Sequence, residues 1–92
     1  MKQDVSGAKH FREALKATPP ELRQQMEWSF RIADKIDDAL KANGMTQREL
    51  AARLGTSAAA VSRWLSGGHN FTLSTLAKIS TELGTPIISV SK

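Results

Sequence analysis

The chain has 92 residues, no cysteine, and 13 Lys and Arg against nine Asp and Glu, for a formal charge of +4. That length holds one domain with one modest core, and the lack of cysteine excludes disulfides, thiolate metal sites and cysteine nucleophiles. The two histidines, His10 and His69, stand far apart with no acidic ligand spacing around either, so no metal site and no cofactor are expected. No apolar run approaches the roughly 20 residues of a membrane span and no signal-peptide core follows Met1, which makes the cytoplasm the expected location. The charge is uneven. Residues 1–45 carry eight basic and seven acidic side chains, whereas residues 46–92 carry five and two, a balance that permits a polyanionic partner for the second half.

In chain order, residues 1–20 read as a polar N-terminal arm. Within it the stretch 8–17 (AKHFREALKA) suits a short helix, which Pro19 and Pro20 must end. A long helix is predicted from Pro20 or Glu21 to Ala42, with Thr18 as its N-cap and Glu21 three residues on. Met26, Phe30, Ala33, Ile36 and Leu40 recur at spacings of three and four, an amphipathic stripe that Trp28 and Ile32 widen. Five acidic and four basic residues occupy its other face, and Asn43-Gly44 is a helix stop.

Thr46 followed by Glu49 is a capping box, so a short helix opens there and ends at Gly55. Thr56 or Ser57 caps a second short helix over 57–66, stopped by Gly67-Gly68. His69-Asn70-Phe71 is a loop. A last helix starts at Thr72 with Leu73, Leu76, Ile79 and Leu83 on one face and Gly84 as its stop. The final stretch 86–91 (PIISVS) is β-like, with β-branched residues in partial alternation. A lone strand leaves its edges open, so Ile87, Ile88 and Val90 are expected to pair with a second copy in a homodimer. The domain proper then spans 21–85, with the 46–66 pair at its centre and 86–92 as its strand or tail.

Two short helices joined by a brief turn containing glycine are a helix-turn-helix. Ala51 is small where such helices cross, Gly55 permits the sharp turn, and Leu50, Leu54, Val61 and Trp64 are set to face inward. Gln47 and Ser57 open their helices, where unpaired N–H groups and the helix dipole favour phosphate.

The stretch TQRELAARLGTSAAAVSRWLSGG resembles the helix-turn-helix of the lambda-repressor-like (XRE) family, and the likeness runs from Ile36 through Leu83. It implies an all-α, compact bundle that binds double-stranded operator DNA as a dimer, here with a long N-terminal helix and a short C-terminal strand. The implied base-contacting positions are Ala58, Ala59 and Arg63. Gln47 and the adjacent Thr46 support readout, Thr56, Ser57 and Ser62 are secondary polar contacts, and Gly68, His69 and Asn70 fall on a phosphate-contacting segment. Members of the family commonly carry glutamine or asparagine where this chain has Ala58 and Ala59. Alanine cannot hydrogen-bond a base edge, so it touches a thymine methyl or lets the helix sit close, and Arg63 is left to read a guanine. Some relatives place a buried Arg–Glu pair where this chain has Leu40 and Leu65; two leucines make that contact by burial alone.

The layout also resembles that of antitoxins from toxin–antitoxin modules, which implies an autorepressor with a small basic toxin on the arm or the long helix. Against these stand a protein-interaction module whose helix-turn-helix no longer reads DNA, and a phage-type or housekeeping repressor without a toxin. No enzyme is expected: no nucleophile elbow, glycine-rich phosphate loop or placed carboxylate pair occurs, and Asp37 and Asp38 point in different directions on a helix.

Overall fold

The computed structural model describes residues 17–90. The expected arm as far as Lys16 and the last two residues lie outside the described residues. Four helices follow in order: α1 Pro20–Ala42, α2 Gln47–Leu54, α3 Ala58–Leu65 and α4 Leu73–Leu83. α2 packs closely on α3, while α1 lies against α3 and α4, and α4 closes on α2. Their shared core is Ile36, Ala39 and Leu40 of α1, Leu50 and Ala51 of α2, Val61 and Trp64 of α3, and Leu76, Ile79 and Leu83 of α4. Leu54 and Leu65 pack against its edge.

α1 departs from its expected register at both the cap and the stripe. Its N-cap is Pro19 rather than Thr18, with φ −54° and ψ 142°. A residue before proline is pushed to extended geometry, so the helix cannot begin before Pro20. The buried face runs through Ser29, Ala33, Ile36 and Leu40. Met26 and Trp28 are exposed because residues 20–28 of α1 bury no side chain, and Phe30 is exposed because it lies off the buried face. Ser29 is tolerated inside because its hydroxyl donates to the Gln25 carbonyl at 2.9 Å. At the other end, the Asn43 amide donates to the Ala39 carbonyl at 2.7 Å and to the Leu83 carbonyl at 3.3 Å, tying the C-termini of α1 and α4 together.

The expected C-terminal strand is not formed among the described residues: 86–90 is irregular. Ile87 is 2% exposed and belongs to the chain's own core. Its N–H donates to Ser80 Oγ at 3.0 Å, and that hydroxyl donates on to the Leu76 carbonyl at 2.7 Å. A residue whose side chain and amide are both engaged by α4 is not a strand-pairing residue, so the assignment of Ile87 to a dimer contact is corrected. α4 differs too. Leu76, Ile79 and Leu83 are buried, but Leu73 is 75% exposed.

Candidate nucleic-acid interface

Each short helix is opened by a hydroxyl cap. Thr46 Oγ1 accepts from the Glu49 N–H at 3.1 Å while Glu49 Oε1 accepts from the Thr46 N–H at 3.2 Å, completing the capping box. Ser57, not Thr56, caps α3, its Oγ accepting from the Ala60 N–H at 3.1 Å. Between the helices, Gly55 sits at φ 69° and ψ 32°, left-handed geometry that glycine adopts without steric cost. The Thr56 N–H returns to the Ala51 carbonyl at 2.9 Å, which fastens the turn onto α2 just where Ala51 is buried at the crossing.

On α3 the inward residues are Val61 and Trp64, both buried. The opposite strip is Ala58, Ala59, Ser62 and Arg63, all exposed and paired at i, i+4. Backbone N–H groups of the first turn have no acceptor inside the helix, so Ala58 and Ala59 present donors rather than side-chain groups. α3 carries no carboxylate, and Arg63 has no ionic partner among the described residues. Thr46, Gln47, Thr56 and Ser57 are exposed as well. The cap bonds occupy acceptor lone pairs of Thr46 and Ser57, and a hydroxyl in that position keeps its O–H for donation. Such a surface can accept phosphate oxygens along its edge and lay one guanidinium into a groove.

After α3 the chain turns at Gly67 and Gly68, at φ 88° and 72°. Gly68 and Asn70 are exposed, whereas His69 is half-buried. Its ring meets Phe71 edge-on at 4.7 Å and lies 6.3 Å from Trp64, so His69 anchors the loop to the core. Sequence reasoning missed this aromatic trio, for which the signal was two rings two residues apart beyond the tryptophan. Of the other cations, Arg53 approaches Glu82 of α4 at 4.0 Å and Arg48 is exposed. On α1, Lys41 is hydrogen-bonded to Asp37 at 2.9 Å, which raises its pKa above the ordinary lysine range.

Gly67 has a second constraint. An added Cβ there runs into the Phe30 ring, whereas one at Gly68 finds open space. Both carry the cost of left-handed backbone for an L-residue, about 1–2 kcal/mol. Gly67→Ala is therefore expected to destabilise more than Gly68→Ala in urea denaturation; equal losses would show that the Phe30 ring yields freely.

The chain matches the helix-turn-helix family HTH_3 over residues 36–89. It belongs to that family, the lambda-repressor-like (XRE) helix-turn-helix proteins, whose members are DNA-binding transcription regulators. No curated protein matches the chain. Among solved structures it is similar to apo-HppE, FeII HppE and FeII HppE in complex with substrate form 1, each at 33% identity and a TM-score of 0.61. The likeness covers 64% of this chain but only 31–34% of HppE, so the chain spans about a third of that protein's length. Among the described residues no helix is long and apolar enough to cross a membrane, and no group of three or more His, Cys, Asp or Glu is set to hold a metal ion.

Proposed function

We propose that the protein is a non-enzymatic, cytoplasmic repressor that binds a palindromic operator in double-stranded DNA as a homodimer. The exposed strip Ala58, Ala59, Ser62 and Arg63, free of carboxylates, together with two hydroxyl-capped helix starts, carries this reading. Ala58 and Ala59 bring the α3 backbone close to the base edges and meet thymine methyl groups, while Arg63 reads a guanine. With so few base contacts per subunit, DNA shape and half-site spacing supply the rest of the specificity. Gly68 and Asn70 contact the backbone, with His69 holding their loop.

A second reading is supported by the exposed apolar residues of α1. Leu22, Met26 and Phe30 are large, exposed and follow one another at four-residue spacing on one face of α1, as on a protein-binding surface, and Trp28 is exposed on another. It makes the chain an antitoxin that represses its own operon and holds a toxin against α1.

Selection of bound duplexes from a random pool, with affinity then followed against salt, tests the first reading. Recovery of a palindrome with a guanine in each half and a steep salt slope is the expected result. Recovery of no site, with only weak salt-sensitive binding, would turn the assignment to a protein-interaction module.

A further inference from the structure

We propose that the open groove beside α1 docks an acidic amphipathic helix of a partner protein. The groove has a volume of about 690 Å³ and lies between α1, the segment 70–73 and the tail 87–90. Along α1 it runs from Gln25 to Lys35, about 15 Å of helix and the span of a segment two to three turns long. Ile32, Phe71, Leu76 and Ile88 line it, and Trp28, 59% exposed, stands as an aromatic wall. An apolar trough of this shape takes the apolar face of a helix through anchors at i, i+3/i+4 and i+7.

Charge selects the occupant. Among the described residues, the ionisable side chains lining the groove are Arg31 and Lys35, and no carboxylate lines it. Arg31 reaches Glu27 at 2.8 Å, but both are exposed and such a pair is easily exchanged. Lys35 has no ionic partner among the described residues. A basic segment, such as that of a basic toxin, meets two like charges here, whereas an acidic amphipathic one meets complementary ones. A second copy seated groove on groove brings both pairs of cations together without a carboxylate from either groove. The groove is thus left to a different chain, and the proposal deepens the partner reading of α1 by giving that partner a chemistry.

The test titrates the whole chain, without DNA, with two designed 14-residue helices that share a leucine face and differ only in glutamate or lysine flanks, following tryptophan emission. The glutamate peptide is expected to bind at least tenfold more tightly, Trp28→Phe to lose most of the emission change, and the pair R31E/K35E to reverse the preference. Both substitutions are on exposed positions, and circular dichroism checks that the variants fold. Equal binding of the two peptides, no binding of either, or a self-associated chain in which Trp28 stays shielded whichever peptide is added would overturn the proposal. The operator selection contains no peptide and this titration no DNA, so each can fail while the other stands.

Discussion

Arg63→Ala is expected to weaken operator binding by about 1–3 kcal/mol per half-site and to relax the preference at one base pair. The size follows from how little else α3 offers the base edges. Ala58 and Ala59 have no side-chain hydrogen-bonding group, and Ser62 is a single short hydroxyl on the same exposed strip. A guanidinium that engages O6 and N7 of one guanine concentrates the direct readout in one residue. In a symmetric dimer the loss occurs twice. Binding to the selected site and to a variant changed at the guanine, at fixed salt, separates the outcomes. Loss confined to the selected site identifies Arg63 as the base reader. Equal weakening on both duplexes, with a salt slope shallower by about one, would make Arg63 a phosphate contact.

The second large effect is on the fold. Leu50→Ala is expected to cost about 2–5 kcal/mol, a large part of the ~5–15 kcal/mol that holds a domain of this kind together. Leu50 is fully buried, on the helix that packs against both α3 and α4. Leu73→Ala removes the same atoms from a site 75% exposed and should stay within about 0.5 kcal/mol. Urea midpoints at unchanged slope measure both. A small loss at Leu50 would mean that the α2–α3 angle is held mainly by Val61 and Trp64.

Much of the candidate interface is legible in the sequence because its determinants are local. Thr46 and Glu49 cap α2, Ser57 caps α3, Thr72 caps α4, and Gly55 and Gly84 end their helices in left-handed geometry. Each of those bonds closes within three or four residues, so residue type and spacing are sufficient to foresee it. The alternation of Val61 and Trp64 inward with Ala58, Ala59, Ser62 and Arg63 outward is likewise a property of one helix period.

What the sequence by itself determined, then, is the helix-turn-helix: its caps, its turn and the strip that α3 presents. Periodicity names the apolar side of a helix but not which part of it a neighbour covers. For that reason Met26 and Phe30 read as core yet lie exposed, Ser29 is buried in their place, and Leu73 falls outside the bundle. Only the tertiary structure decided these, along with the fate of the tail. Ile87 and Ile88 read as strand because β-branched residues suit a pleated surface. The closed bundle instead offers Ile87 a place in the core and, for its N–H, the hydroxyl of Ser80 on α4, seven residues away. The groove beside α1 has the same origin. Its walls come from three segments far apart in the chain, and only packing brings Arg31 and Lys35 to the edge of one apolar trough.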